Sequence, residues 1–443
     1  MNTYEIDYLS AKPADWETKK FRQVFDFFKG LSITKDNLLE EGIPVISYGQ
    51  VHSKDNSGFG LCDALYRFVS KDYLYTDKKC LVKPGDFIFA DTSEDYAGVG
   101  NCAYIDRNEP IFAGYHSIVA RPSETENYYG KYFAFLFMTD FWRSQIRAEV
   151  MGIKVFSITQ KLLRNTVVIV PPVAEQQAIA DFLDDKCSQI DGIIADIEKQ
   201  IEILKSYKKS LITETVTKGL DKTAKMKDSG VEWIGQIPEH WDVKRLKYLI
   251  KIKDGTHDTP NYVEPSETTY KFITPKVIDY ELKNIDFENA KHVSEKDFYE
   301  IYKRSDVKKN DIIMPMIGTI GNPVIVETDE KFAIKNVALF KTCNDAIMAK
   351  NIFYQFYSDV VLEQFGSMAR GGVQTFVSLE ILGNLYVIDI PCEHMKLIVN
   401  YLDAKCQKLD SIITTKQTQL TKMQQHKKSL IYEYVTGKKR VAI

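Results

Sequence analysis

The sequence predicts an α+β protein: two mixed α/β domains separated by two long helices that form an antiparallel coiled coil with pseudo-two-fold repetition. Three observations support this class. They are an internal repeat, a long heptad pattern that ends each half, and a set of short β-type runs ahead of each pattern. With 443 residues, 44% of them hydrophobic, the chain is long enough for two or three domains with buried cores.

The internal repeat is clearest near the end of each half. Residues 182–217 align without a gap onto residues 401–436, and 16 of these 36 positions are identical. The strongest part is Lys-Lys-Ser-Leu-Ile, which begins at Lys208 and again at Lys427. The repeat therefore predicts a first domain over 1–168, a first long helix within 169–219, a second domain over 220–389, and a second long helix with a tail over 390–443.

The two helices are predicted from apolar residues that recur at alternating spacings of three and four. This pattern is typical of a coiled-coil seam, and the other copy of the repeat is the natural partner. Pro171-Pro172 and Gly219 lie where a helix start and stop are expected. A structural hairpin inside one large domain remains the alternative. The predicted pairing residues are Leu183, Ile190, Ile194, Ile197, Ile201, Leu204, Leu211, Leu402, Leu409, Ile413, Leu420, Met423 and Leu430.

Short apolar runs predict strands in both domains, among them residues 43–47, 86–90 and 166–170 in the first. Residues 129–147 are predicted to form one amphipathic helix, and residues 349–366 its counterpart. The lysine pairs 208–209 and 427–428 lie near the predicted helix ends. There they either favour the helix dipole or face DNA.

Several motifs carry a resemblance to a known family. Pro-x-x-Trp starts each half at 13–16 and 238–241, the first helix starts with Pro-Pro-Val-Ala-Glu-Gln at 171–176, and Trp-Ile-Gly-Gln-Ile-Pro-Glu-His-Trp occupies 233–241. With the repeated Lys-Lys-Ser-Leu-Ile, this order resembles the specificity (S) subunit of type I restriction-modification systems over essentially the full length. The second helix departs from the pattern, because its start has His394 and Met395 where the first has Glu175 and Gln176.

The resemblance implies two target-recognition domains that each read one part of a split double-stranded DNA sequence, with the helices setting the unread spacing. It also implies two modification (M) subunits that methylate adenine with S-adenosylmethionine, and restriction (R) subunits that use ATP and Mg. This chain is then the non-catalytic DNA-specificity subunit for a bipartite, asymmetric target. It binds no cofactor itself.

Polar loops that follow predicted strands are the candidates for reading bases, since Arg and Lys suit guanine, and Asn and Gln suit adenine. The alternative for each single residue is an ordinary turn that satisfies its own backbone. The candidates are Ser47, Tyr48, Gln50, His52, Lys54, Thr256, His257, Thr274, Lys276, Thr319, Asn322, Lys335, Asn336, Arg370 and Gln374.

The sequence lacks a phosphate-binding loop, an amino-methyltransferase motif and clustered Cys or His residues, so we expect neither catalysis nor a metal site. Seven cysteines without a C-x-x-C pair, no bilayer-length apolar run and no secretory signal favour a cytoplasmic protein. The net charge of −3 does not by itself support DNA binding. A stand-alone sequence-specific DNA-binding protein and a self-sufficient enzyme remain the alternatives.

Overall fold

The computed structural model describes residues 12–123, 128–150, 155–279, 283–317, 321–369 and 377–442. Contacts divide the chain into two units. Unit 1 comprises Met1–Ile197 with Thr418–Ile443, and unit 2 comprises Glu198–Gln417. Each unit therefore combines one mixed α/β domain with a stretch of both long helices, whereas the predicted boundaries at 168, 219 and 389 separate domains from helices.

Unit 1 contains two four-stranded sheets. One has the antiparallel order β2-β10-β6-β8, and the other has the order β4-β3-β9-β5 with β3 and β9 parallel. The strands are β1 (Glu17–Lys20), β2 (Phe25–Lys29), β3 (Ile43–Ile46), β4 (Arg67–Val69), β5 (Leu81–Val82), β6 (Phe87–Ala90), β7 (Thr92–Ser93), β8 (Cys102–Tyr104), β9 (Ile111–Ala113), β10 (Ser117–Pro122), β11 (Phe156–Ser157) and β12 (Val167–Val170). The helices are α1 (Tyr48–Val51), α2 (Tyr73–Thr76), α3 (Gly130–Phe137), α4 (Asp140–Arg147), α5 (Gln160–Asn165) and α6 (Val173–Lys218).

Unit 2 repeats this plan with the sheets β16-β25-β22-β23 and β17-β21-β18-β24, in which β18 and β24 are parallel. The strands are β13 (Met226–Asp228), β14 (Gln236–Pro238), β15 (Asp242–Arg245), β16 (Lys251–Asp254), β17 (Tyr262–Val263), β18 (Thr269–Ile273), β19 (Ile278–Asp279), β20 (Asn284–Ile285), β21 (Lys291–Ser294), β22 (Ile312–Pro315), β23 (Val324–Ile325), β24 (Phe332–Ile334), β25 (Val337–Lys341) and β26 (Tyr386–Asp389). The helices are α7 (Glu295–Ser305), α8 (Ala346–Phe356), α9 (Asp359–Ala369), α10 (Leu379–Asn384) and α11 (Cys392–Val435). The α+β class and its internal repetition are thus confirmed.

The prediction of one continuous helix over 129–147, and of its counterpart over 349–366, was wrong. Each segment contains two helices, because a hydroxyl residue breaks the helix at the same place in both units. Thr139 donates its hydroxyl hydrogen to the carbonyl of Leu136 (2.6 Å), and Ser358 does the same to Gln355 (2.6 Å). Such residues favour helix starts over helix interiors, so α4 and α9 each begin at the next residue.

The long helices α6 and α11 pack against each other within each unit. In unit 1, Phe182 contacts Tyr434 with ring centroids 4.5 Å apart, and Asp191 pairs with Lys427 (2.6 Å), so the helices run antiparallel. In unit 2, Lys208 pairs with Asp410 (2.5 Å). Asp410 and Lys427 lie 219 residues after Asp191 and Lys208, so both units contain the same ion pair of the repeat.

All thirteen predicted pairing residues are buried or half-buried. The buried ones are Leu183, Ile190, Ile197, Ile201, Leu402, Leu409 and Ile413, and the half-buried ones are Ile194, Leu204, Leu211, Leu420, Met423 and Leu430. Towards the end of each helix the buried stripe shifts by one residue. Ile212 and Ile431 are more buried than their neighbours Leu211 and Leu430, because they face the domain core as well as the other helix.

A different side chain lies beside the helix ion pair in each unit. In unit 1 the Phe59 ring is 5.7 Å from Lys427 Nζ. In unit 2 Lys283 approaches Lys208 and also lies over the rings of Tyr357 (4.1 Å) and Phe353 (5.2 Å). Burial, and next the positive charge of Lys208, lower the pKa of Lys283 to about 8.

Candidate nucleic-acid interface

One sheet edge of unit 1 brings polar side chains together where β3 and β6 end. We call Tyr48, His52, Asp91, Thr92 and His116 the polar edge of unit 1. His52 Nε2 lies 2.8 Å from the Thr92 carbonyl and therefore carries the hydrogen, while its Nδ1 accepts from the Asn101 amide (3.1 Å). His116 Nδ1 lies 3.1 Å from Asp91 Oδ1, and the Tyr48 ring packs edge-on against both histidines.

The predicted residues of this edge differ in their surroundings. Ser47 is buried at the start of α1, and its backbone N–H donates to Gln50 Oε1 (3.2 Å), which is a local turn contact. Tyr48 and His52 are half-buried within the edge, and Lys54 is exposed. For Ser47 and Gln50 the structure thus favours the structural alternative over base contact.

The equivalent edge of unit 2 is formed where β16 and β18 end. We call Asp254, His257, Arg304, Lys335 and Asn336 the polar edge of unit 2. His257 is placed between Asp254 and Asn336, with Nε2 3.0 Å from Asp254 Oδ2 and Nδ1 3.0 Å from Asn336 Oδ1. The Asp254 carboxylate is buried and accepts three hydrogen bonds from Arg304 at 2.6–2.8 Å. This is a charge-assisted, bidentate arrangement that holds Asp254 against the imidazole.

Backbone contacts join further predicted residues to this edge. Thr256 forms a parallel bridge with Lys335, and its carbonyl accepts from the Asn336 N–H (3.1 Å). The Lys335 N–H donates to the carbonyl of Ile273 (2.9 Å), which directly precedes Thr274. The structure therefore places five predicted base-contact candidates at one edge, namely Thr256, His257, Thr274, Lys335 and Asn336. Each was predicted from the polar composition of its loop.

Other predicted residues are not joined to it. Lys276 is exposed and Asn322 is half-buried, and no hydrogen bond within the described ranges links either one to the polar edge of unit 2. Thr319, Arg370 and Gln374 lie outside the described residues. Sequence reasoning missed Asp91, Asn101 and His116 in unit 1. A signal was present for His116, because the Phe112-Ala113 that precedes it repeats as Phe332-Ala333 before Asn336.

The sequence difference at the start of the second long helix changes the hydrogen-bond partner of a buried tryptophan. We call the place where this tryptophan meets the long helix the corner of each unit. In unit 1, the buried Trp16 indole donates to Glu175 Oε2 (3.0 Å), and Arg440 donates to both Glu175 and Asp15. These hydrogen bonds, the one to Glu175 first, raise the pKa of Arg440. In unit 2, the Trp241 indole donates to His394 Nδ1 instead (3.1 Å).

Gln176 and its counterpart also differ in chemistry. Gln176 accepts from the backbone N–H of Tyr129 (2.9 Å) and donates to the carbonyl of Pro171 (2.8 Å). Met395 occupies the corresponding place in the apolar core of unit 2. The departure from the motif at the start of the second helix therefore changes the contacts made at both positions.

Three of the four lysines near the helix ends form ion pairs with carboxylates. Lys208 and Lys427 form the ion pairs between α6 and α11, and Lys209 pairs with Asp359 (2.5 Å). Carboxylates thus hold three of these four ammonium groups. Within the described ranges there is no group of three or more His, Cys, Asp or Glu arranged to hold a metal, and no helix long and apolar enough to cross a membrane.

Comparison with known proteins gives the family. The family model of the type I restriction modification DNA specificity domain matches residues 13–203. A putative type I restriction enzyme MjaX specificity subunit from Methanocaldococcus jannaschii is 24% identical, over 97% of this chain and 95% of its own length. The chain is thus similar, over nearly its full length, to the specificity subunits of type I restriction-modification systems.

Two further relatives agree with this similarity. The MjaVIII specificity subunit of Methanocaldococcus jannaschii is 27% identical over 67% of the chain and 68% of its own length. The EcoBI specificity subunit of Escherichia coli is 30% identical over 42% of the chain and 40% of its own length. A chain solved in work on complex assembly and conformational transition of the type I R-M system has the same fold, with a TM-score of 0.68 at 14% identity over 96% of this chain and 98% of that one.

Proposed function

We propose that this specificity subunit recognises a bipartite, asymmetric DNA target, with each unit contacting one part of it. The observation that carries the proposal is the contrast between the two polar edges. They occur at equivalent places in two copies of one fold, yet the position that holds His116 in unit 1 holds Asn336 in unit 2, and the position that holds Asp91 holds Met316. Two copies of one fold that present different polar side chains to DNA are expected to recognise different half-sites.

The energetics of a divided target fit two edges of this size. Each base pair in a recognised site contributes about 1–3 kcal/mol of discrimination, roughly additively for separated positions. Two short half-sites therefore reach the specificity that neither reaches alone. The net charge of −3 gives little general attraction to DNA, so directed hydrogen bonds must carry more of the selectivity.

As a specificity subunit, the chain supplies recognition and not catalysis, and we propose that it positions M and R subunits on its target. An exposed isoleucine occurs at the same repeat position on each long helix, Ile193 on α6 and Ile412 on α11. Two equivalent apolar positions favour two copies of one partner, which supports a pair of M subunits. S-adenosylmethionine would then belong to the M subunits, and ATP and Mg to the R subunits. For a chain that acts on cellular DNA, we expect a cytoplasmic location.

The test is to purify the chain alone and with its M subunit, and to map methylated adenine on genomic DNA incubated with each. We expect methylation only from the mixture, at one asymmetric motif with two specified parts and an unspecified spacer. Methylation by the isolated chain would indicate an enzyme. A continuous or symmetric motif would contradict the division of reading between two units, and sequence-specific binding without any methylation on mixing would favour the stand-alone DNA-binding alternative.

A further inference from the structure

The two units place a residue with the same unusual backbone at the same point of the polar edge. His116 precedes β10 and Asn336 precedes β25, and both have φ of +53°. The carbonyl of each accepts a 3.1 Å hydrogen bond, from the N–H of Asp91 for His116 and from that of Met316 for Asn336. Left-handed backbone is uncommon outside glycine, so these are equivalent positions of one turn that differ only in the side chain they present.

In unit 2 the side chain at this position is a preoriented carboxamide. Asn336 Oδ1 lies 3.0 Å from His257 Nδ1, and His257 is fixed in turn by the buried Asp254. A carbonyl oxygen accepts two hydrogen bonds and an amide nitrogen carries two hydrogens, so whichever amide atom meets Nδ1, one acceptor and one donor of the carboxamide stay available. A carboxamide with one acceptor and one donor available matches the N6 amine and N7 of adenine in the major groove.

In unit 1 the side chain at this position is an imidazole. His116 is 57% exposed at its side chain, and its Nδ1 faces Asp91 at 3.1 Å. The Nδ1–H therefore donates to the carboxylate, which leaves Nε2 as the ring nitrogen available to a base edge. A single nitrogen makes one hydrogen bond to a base edge, so it does not reproduce the two-point contact of a carboxamide.

We propose that His116 and Asn336 are equivalent base-contacting residues, and that Asn336, positioned by His257, selects an adenine in the half-site read by unit 2. This inference rests on the proposed function and names the residues that make the two half-sites differ. His257, Asp254 and Arg304 act through Asn336 and are positioning residues. The corresponding position of the other half-site is specified by the one-point contact of His116.

The experiment uses the full chain with its M subunit and maps the methylated motif for each variant. Asn336→Asp replaces the donor to N7 by a second acceptor. We expect discrimination to fall about tenfold to hundredfold at one adenine of one half-site, with the other half-site unchanged.

His116→Asn is expected to move one position of the other half-site towards adenine. Asn344→Asp is the matched control, because Asn344 also has left-handed backbone in unit 2 (φ +63°) but lies beside Asn310 rather than at the polar edge.

A positioning role for His257 has its own signature. His257→Ala should weaken discrimination at the same adenine as Asn336→Asp and at no other position, whereas His257→Gln, which keeps a donor to Asn336, should restore part of it. If Asn336→Asp fails to fold, Asn336→Gly suits the left-handed turn and removes the same amide.

The outcomes separate the two proposals. A wild-type motif without two specified parts contradicts the proposed function itself. A bipartite wild-type motif that stays unchanged in Asn336→Asp and His116→Asn, or that weakens equally at every position, overturns the assignment of these residues while leaving the function intact.

Discussion

The two units are more alike in their side chains along the long helices than at their polar edges. Along the helices, side chains repeat in kind, so that Asp191 with Lys427 in unit 1 has its copy in Asp410 with Lys208 in unit 2. At the polar edges only the backbone repeats, and His116 is replaced by Asn336. Residues that make the same contact in both units are identical, whereas the side chains presented at the polar edges differ. This difference is what the proposed recognition of two unlike half-sites at the edges requires.

The corners where each domain meets its long helix are intermediate between these extremes. Both keep a buried tryptophan that donates its indole hydrogen to the start of the helix. The acceptor is the Glu175 carboxylate in unit 1, held also by Arg440, and a ring nitrogen of His394 in unit 2. The geometry of the corner is thus kept while the acceptor changes from a carboxylate to an imidazole.

The largest expected effect tests this corner. Trp16→Phe removes a donor from a buried carboxylate, so the hydrogen-bond loss alone should lower the free energy of unfolding by about 1.5–3 kcal/mol. Trp241→Phe removes a donor from an imidazole and should cost about 0.5–1.5 kcal/mol. Hydrogen–deuterium exchange measures each effect locally, at the strand pairs β1–β12 and β15–β26 that follow the two tryptophans.

The control for this pair is Trp142→Phe. Trp142 is fully buried in unit 1, and its indole nitrogen has no hydrogen-bond partner among the described residues. This variant therefore reports the loss of ring volume without the loss of a hydrogen bond. Equal protection losses for Trp16→Phe and Trp241→Phe, after this correction, would show that exchanging the acceptor leaves the corners energetically alike.

The second prediction concerns the side chain beside each helix ion pair. Lys283→Met in unit 2 removes a half-buried positive charge close to Lys208 and should stabilise the protein at pH 7. A pKa lowered from 10.5 to about 8 corresponds to about 1–3 kcal/mol, and the contacts with Tyr357 and Phe353 offset part of it. In unit 1, where the corresponding neighbour is Phe59, there is no such repulsion.

The pH dependence follows from linkage. Between about pH 8 and 10.5 the folded wild type has already released the Lys283 proton while the unfolded chain still binds it, so this group raises stability as the pH rises. The variant lacks that contribution. Its advantage over the wild type in urea unfolding should therefore be greatest near pH 7 and shrink by pH 10.5. An advantage that is independent of pH would mean that packing, and not the charge, is responsible.

Much of the fold followed from the sequence because the repeat and the heptad spacing act over many residues. The helix limits Val173–Lys218 and Cys392–Val435 lie within the predicted regions, and strands such as β3, β6 and β12 coincide with predicted runs. The break at Thr139 was missed because periodicity continues across it. It depends on one hydroxyl that bonds backwards to Leu136. Local hydrogen bonds of this kind leave no trace in a hydrophobic pattern.

The candidate site was predictable in composition but not in detail. Thr256, His257, Lys335 and Asn336 were grouped as polar loops, and strand pairing brings them together. His116 was missed because it stands in an aromatic and apolar stretch. The repeated Phe-Ala before it aligns it with Asn336, and the shared backbone φ of +53° shows that both occupy the same turn. Which polar residue of a loop faces outward depends on tertiary contacts that a single sequence does not state.

The smallest expected effect compares the helix ion pairs themselves. Lys427→Glu in unit 1 should cost about 1 kcal/mol, because it faces Asp191 with a like charge and loses the contact with Phe59. Lys208→Glu in unit 2 should cost less, since it gains an attraction to Lys283 as it loses Asp410. Double-mutant cycles with Asp191→Lys and Asp410→Lys measure each pair separately, by urea unfolding at low salt. In a Lys283→Met background the difference between the two costs should shrink to the contribution of the contact between Lys427 and Phe59. If the difference does not shrink there, the asymmetry does not come from Lys283.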